Sequence, residues 1–294
     1  MANLKEIRNR ITSVSTTEQV TSAMKMVAAA KLKQTQDAII RIKPYANDLH
    51  DILTRLSEDV NITKDNVYFQ QRAEKNILIV FVSSNRGLCG SFNSNVIKLG
   101  FEVAKKKYPE QLKNGNVSFI AIGKYANEFL RKNHFNITRR FGDVFNNLTF
   151  ENVVPIAQYI MDGFTNGYFD KIDIIYNRFK NAAVQILIDE QFLPIIVDDK
   201  IKKKHEITQD YIFEPSKKYI INELIPKSLK VQIYKALLDS FASEHGARMT
   251  AMHKATDNAN NLIKDLRIQY NKARQASITN EILEIVSGAD ALNK

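Results

Sequence analysis

The stretch Ser83-Ser84-Asn85-Arg86-Gly87-Leu88-Cys89-Gly90-Ser91 is where this chain comes nearest to a chemical signature. It follows an apolar run and precedes a helical pattern, the position at which phosphate-binding loops sit. Gly87 and Gly90 lie too close together for GxGxxG, and no Lys follows to complete GxxxxGK[ST]. A structural turn is therefore favoured over a nucleotide cradle. Cys89, the only cysteine, has no histidine near it in sequence to activate it, and reads as a small buried hydrophobe. The five histidines (His50, His134, His205, His245 and His253) show no metal spacing; His245 and His253 are eight apart with no acidic or cysteine partner in register. Glu244-His245 is not part of an HExxH motif. No catalytic constellation emerges.

The composition narrows the class. With 42 Lys+Arg against 32 Asp+Glu the net charge is +10, and 44% hydrophobic with 25% charged residues excludes disordered, collagen-like and disulfide-stapled chains. A lone cysteine cannot pair within the chain, which fits a reducing compartment. The longest uninterrupted apolar run, Ile77 to Val82, falls far short of the ~20 residues a membrane-spanning helix needs. The opening MANLKEIRNR has no apolar block and does not read as a secretory signal. Asn61-Ile-Thr, Asn136-Ile-Thr and Asn147-Leu-Thr match a glycosylation pattern, taken here as coincidence. The expectation is a soluble intracellular protein.

Gly and Pro reveal the organisation. Eight of ten glycines fall between Gly87 and Gly167, and proline is absent from residues 1–43 and 227–294. Helix breakers are thus concentrated in the middle, which predicts two long helical ends around a compact centre. Stepping alternately by three and four from Leu4 meets Ile7, Ile11, Val14, Glu18, Thr21, Lys25, Ala28, Leu32, Thr35, Ile39, Ile42, Ala46, Leu49, Leu53 and Leu56; twelve of the sixteen are apolar, a coiled-coil signature. Near the C-terminus Met252, Ala255, Ala259, Leu262, Leu266, Ala273 and Ala276 are read as the matching seam. A helix over residues 3–57 would be about 80 Å long, too long for a globule of this size, so the helices are expected to project. Pro44 predicts a kink. Glu18, Thr21, Lys25 and Thr35 make a polar stretch of seam, either an imperfect coiled coil or a surface facing something other than the sister helix.

The middle alternates strand and helix. Asn76 to Ser83 and Asn116 to Ile122 read as buried strands, and Lys171 to Arg178 with Ala182 to Ile188 as a hairpin. Asn93–Lys107, Lys124–Arg131 and Phe150–Phe164 read as helices, and residues 198–210 as a charged, solvated loop. That order predicts a Rossmann-like α/β domain with a mostly parallel sheet, and a division into 1–57, 58–215 and 216–294. Residues 1–57 carry nine basic and five acidic side chains, residues 216–294 twelve and eight, so most of the net charge lies on the helical ends. A basic rod calls for an acidic partner; without interleaved aromatics, nucleic acid is less favoured than an acidic protein surface.

Four stretches resemble the gamma subunits of F-type ATP synthase: KEIRNRITSVSTTEQVTSAMKMVAAAKL (Lys5–Leu32), SSNRGLCGSFN (Ser83–Asn93), EHGARMTAMHKATDNANNLIKDL (Glu244–Leu266) and YNKARQASITNEILEIVSGADAL (Tyr270–Leu292). The resemblance runs the length of the chain. Asn260-Asn261 and Ser91 depart from the usual small or Gly residues, and the cysteine insertion of plastid forms is absent, so thiol control is not expected.

The resemblance implies a central rotor shaft: an antiparallel coiled coil inside a ring of alpha and beta subunits. Its α/β domain would sit beside the epsilon subunit and the c-ring, with delta elsewhere in the complex. Proton-driven rotation of the c-ring would drive ATP synthesis, with one copy per complex. It implies no catalytic group, cofactor or metal in this chain, and a place on the cytoplasmic face of a bacterial inner membrane. By the same resemblance, Met24, Arg248, Gln275, Thr279 and Glu284 would meet the alpha–beta ring, and Tyr211 and Glu214 the c-ring and epsilon. The competing expectations are a basic coiled-coil adaptor for nucleic acid or anionic membrane, and a dinucleotide-dependent enzyme.

Overall fold

The computed structural model describes residues 4–57, 66–196 and 217–292. The chain forms two compact units, Met1–Ala29 with Arg248–Lys294, and Ala30–Ala247. Within the second unit, part of the second long helix packs into the sheet's own core, through Ile225, Leu229, Ile233, Ala236 and Leu237.

The Ala30–Ala247 unit is built on a five-stranded sheet: β1 (Ile77–Val82), β2 (Val117–Ile122), β3 (Ile137–Phe141), β4 (Lys171–Phe179) and β5 (Gln185–Leu193), in the order β3-β2-β1-β4-β5. β1 pairs in parallel with β2 and β4, β2 in parallel with β3, and β4 and β5 are antiparallel. All six residues of β1 are buried, as a central strand covered on both faces requires. One face, from Leu78, Val80, Val82, Ile120 and Ile174, packs on the helix Phe150–Thr165 and the second long helix. The other, from Ile77, Ile79, Phe81 and Phe119, packs on helices Phe92–Lys107 and Lys124–Lys132. Gly100 exists because a Cβ there would run into the Phe81 ring.

Two elements escaped the sequence pattern. β3 (ITRRF) is polar at its centre because it is an edge strand, where charge also discourages stray pairing. The short helix Pro109–Lys113 was hidden in a charged connection. The hairpin is offset from the expected Ala182 to Ile188. Asn181 Oδ1 accepts from the amides of Ala183 and Val184, so those residues form the turn, and the strand begins at Gln185. It continues through Asp189 and Glu190 because each finds a partner: Lys107 pairs with Asp189, and Tyr176 donates to Glu190 at 2.7 Å.

In chain order the helices are α1 (Leu4–Ser57), α2 (Phe92–Lys107), α3 (Pro109–Lys113), α4 (Lys124–Lys132), α5 (Phe150–Thr165) and α6 (Lys217–Leu292). α1 runs unbroken through Pro44 and α6 through Pro226, with 54 and 76 residues. Residues 198–210, read as a loop, and Tyr211 and Glu214 lie outside the described residues.

Candidate functional site on the paired helices

The glycine-containing loop after β1 is closed on itself. The Ser84 amide donates to Asn93 Oδ1 at 2.9 Å, the Lys124 amide to Asn85 Oδ1 at 3.1 Å and the Ala126 amide to Ser83 Oγ at 2.9 Å. Asn93 Nδ2 in turn donates to Ser84 Oγ at 2.7 Å and to the Cys89 sulfur at 3.3 Å. The loop is thus tied by its own side chains to the starts of the helices at Phe92 and Lys124. Gly123 must be glycine: its φ is +101°, and a Cβ would lie 2.1 Å from the Ser83 carbonyl oxygen. At the end of β4, where an open α/β sheet would bind a dinucleotide, Ser243 of α6 donates to the Asn177 carbonyl and Gly246 lies against the Ala182 backbone. The turn is structural, as its spacing predicted. Cys89 is buried.

Among the described residues no group of His, Cys, Asp and Glu is arranged to hold a metal. His253 does have an acidic neighbour, contrary to the sequence expectation. Asp257 lies one turn on, 3.4 Å from its Nδ1, at a position where both side chains are exposed.

In the Met1–Ala29 and Arg248–Lys294 unit, α1 and α6 pair as an antiparallel coiled coil. Along α1 every position of the series its spacing predicts from Leu4 to Ala28 (Leu4, Ile7, Ile11, Val14, Glu18, Thr21, Lys25 and Ala28) is buried or half-buried, with Ser15, Ser22, Met24 and Ala29 half-buried beside it. On α6 the matching series is Met252, Thr256, Ala259, Ile263, Leu266, Tyr270, Ala273 and Ser277. Leu262 is 45% exposed and Ala276 is also exposed, so the expected seam was out of phase there. Stepping four rather than three from Met252 gives an unbroken 4-3 alternation; the detectable signal was that regularity, obscured because Thr256 and Ser277 are polar. Thr21 Oγ1 and Thr256 Oγ1 share a 2.9 Å hydrogen bond, so at Thr21 the polar seam faces the sister helix. Thr21 Oγ1 also donates to the Glu18 carbonyl at 3.0 Å, so Thr256 donates across the seam to Thr21, in a half-buried position where a lone hydroxyl would be costly.

The Thr21–Thr256 contact also fixes the register. Counting outward from it, Leu4, the first described residue of α1, lies level with Ala273, and α6 runs on past that level. Residues 278–289 are all exposed. Ile278, Ile282, Ile285 and Val286 share one face and are 46%, 55%, 72% and 52% exposed, an apolar stripe on a lone helix.

The five ring-contact candidates fall into two groups on this unit. Met24 is half-buried and Arg248 only 7% exposed, both near the middle of the chain's long helices. Gln275, Thr279 and Glu284 are exposed, about 40 Å further along α6 at 1.5 Å per residue. Thr279 Oγ1 donates to the Gln275 carbonyl at 2.9 Å, so these two share a face, while Glu284 points half a turn away. Around them stand exposed Arg8, Arg10, Lys254, Lys264, Arg267, Lys272 and Arg274, a basic surface of the kind the composition called for.

The family model described as ATP synthase matches residues 3–292. The chain is 56% identical to the ATP synthase gamma chain of Flavobacterium johnsoniae over 296 aligned positions, covering all of both chains. It is similar to the central stalk and c-ring structure of the Tetrahymena thermophila mitochondrial ATP synthase, with 27% identity and a TM-score of 0.61 over 80% of this chain and 99% of that one. A chain of the Euglena gracilis mitochondrial ATP synthase in rotational state 3 shares the fold, with 22% identity and a TM-score of 0.68 over 98% of this chain and 94% of that one. A paired coil that runs on into a single helix with an exposed apolar stripe agrees with a match from end to end: the chain belongs to the ATP synthase gamma chain family.

Proposed function

We propose that this chain is the central shaft of a bacterial F-type ATP synthase. It would carry rotation of the c-ring to the alpha–beta ring, where ATP is made or hydrolysed. The observation that carries this reading is the α6 tip. A coil of two helices gives way to one helix with an apolar stripe and no partner among the described residues, as a shaft entering a collar of other subunits requires. A rotor contributes no acid, base or nucleophile. It shifts the populations of the ring's catalytic sites by presenting a different side of itself to each in turn.

Small side chains at Ala29, Ala30 and Ala276 limit the apolar area any single contact can bury, while Thr21, Ala28, Ala273 and Ser277 are the small residues of the seam. At about 25 cal/mol per Å2 that limit keeps the wells along the rotation shallow. The small seam residues allow the helices to approach closely. Gln275 and Thr279, exposed together, are suited to hydrogen-bonding loops of the ring, with Glu284 available on the opposite side. Arg248, buried within the chain, would act by holding the coil in place for Met24 more than by reaching out. Tyr211 and Glu214 are proposed for the c-ring and epsilon contact by resemblance alone. The reading places the chain on the cytoplasmic face of the inner membrane, held there by the membrane sector; no described helix is long and apolar enough to cross a membrane. No observation favours the adaptor for nucleic acid or anionic lipid.

Co-expression with alpha and beta subunits tests the proposal. An ATP-hydrolysing complex should form only when this chain is present, and Gln275→Ala should weaken coupling while the complex still assembles. Assembly and full activity without the chain would refute it.

A further inference from the structure

A pocket of about 570 Å3 opens on the α5 side of the sheet, lined by Ser118, Asn136, Thr138, Tyr159, Asp162, Gly163, Asn166, Tyr168 and Phe169. Its volume is that of a small-molecule site. Among its lining side chains there is one carboxylate and no cation, together with three aromatic rings. Asp162 spends one oxygen on Gln158 Nε2 at 2.8 Å and forms no ion pair among the described residues, so its second oxygen is open to a ligand. Asn136 donates one amide hydrogen to Ser118 Oγ at 3.1 Å, which leaves its side-chain carbonyl oxygen as an acceptor. Tyr168 is 68% exposed, a large aromatic face at the mouth. Gly163 keeps the wall in place, because a Cβ there would stand 2.8 Å from the Phe169 ring.

We propose that this pocket binds an organic cation, a guanidinium or alkylammonium group carried on a flexible chain. A carboxylate sets the sign of the charge, ring faces attract a cation that has shed part of its water, and the amide oxygen accepts its N–H. The protein already uses that chemistry at this end of α5. The Arg139 guanidinium stands 4.6 Å from the centre of the Tyr159 ring, and that of Arg72 stands 5.0 Å from the Phe164 ring. Arg72 also donates to the Phe164 carbonyl at 3.0 Å, closing off the helix end. Arg139 already covers the Tyr159 ring and Arg72 the Phe164 ring, so Asp162 and the exposed Tyr168 face are the groups left to receive a cation from elsewhere. The group could arrive on a free polyamine or on a basic side chain of a neighbouring protein.

Titrating the full chain with agmatine and, separately, with N-acetylarginine amide, followed by ligand-detected NMR, tests the site and separates the two sources. Binding of either supports the proposal, and the arm that binds names the source. N-acetylcitrulline amide, neutral but of the same shape, should bind at least about tenfold more weakly. Asp162→Asn should weaken binding about tenfold, and Tyr168→Leu, a change at an exposed position that leaves the fold intact, about threefold or more. Equal binding of the citrulline compound, indifference to both substitutions, or no binding in either arm would overturn the proposal.

Discussion

β1 and the end of α6 are opposites made from similar residues. Ile77 to Val82 is apolar and wholly buried, whereas Ile278, Ile282, Ile285 and Val286 are nearly as apolar and lie open along a helix. The first stretch finds its complement within the chain, on β2, β4 and the helices of both faces. The second finds none. An apolar segment in a sequence therefore says that something will cover it, but not whether the cover is the same molecule.

The contrast can be broken in several ways, beginning with the largest expected effect. Gly123→Val should unfold or severely destabilise the sheet unit, by about 4 kcal/mol or more, because the new side chain meets the Ser83 carbonyl at a left-handed backbone position. Chemical denaturation measures the loss, and a change under about 1 kcal/mol would show that the loop yields where its geometry says it cannot.

A smaller effect concerns Asp239, buried in the same unit. Burial pushes its carboxyl up from the ordinary 3.8 to about 6, with Lys235 and Arg178 acting against the rise and Glu190 adding to it. A raised folded-state pKa means the folded protein favours the protonated form. Its contribution to stability is present below about pH 4 and is lost as the pH rises to 6. Asp239→Asn should therefore stabilise the chain above pH 6, by up to about 3 kcal/mol, and leave it little changed at pH 4. Melting temperatures of both proteins across pH 4 to 8 check the sign.

Smaller again is the hydrogen bond in the coil. Thr21→Val leaves Thr256 with its hydroxyl unmatched and should cost about 1 kcal/mol, whereas Thr21→Val combined with Thr256→Val should recover much of it. If the double variant is no better than the single, the two hydroxyls do not depend on each other. Least of all should folding respond to Ile282→Ser with Ile285→Ser at the exposed tip, a change within about 0.5 kcal/mol. The same pair should raise the solubility of the isolated chain and weaken assembly with the alpha–beta ring. A folding loss comparable to that of Gly123→Val would erase the distinction between the two regions.

Much of the structure was legible because periodicity is physical. The seam of α1 from Leu4 to Ala28 follows its spacing position by position, and strands β1 and β2 fall within a residue of the apolar runs. β3 was not legible, since an edge strand needs no apolar centre and ITRRF has none. The α6 seam was mis-phased where Thr256 and Ser277 take core positions. The loop after β1 was read correctly as a turn, yet the reason for it, amides held by Asn85, Asn93 and Ser83, depends on residues brought together by the fold. The pocket beside α5 was invisible because its lining comes from β2, β3, α5 and the loop beyond, none with a motif of its own.

Beyond Ser277, α6 continues without α1 beside it. Where two helices run together, twisting one drags the other through their interlocked side chains, and both sets of backbone hydrogen bonds resist. Past that point a single set remains. Any torque applied along the helix is therefore taken up unevenly, with most of the angular strain in the last few turns. The paired-helix unit is built as a stiff bar with a soft spring at its end, and the change in stiffness falls within the stretch that contains Gln275 and Thr279.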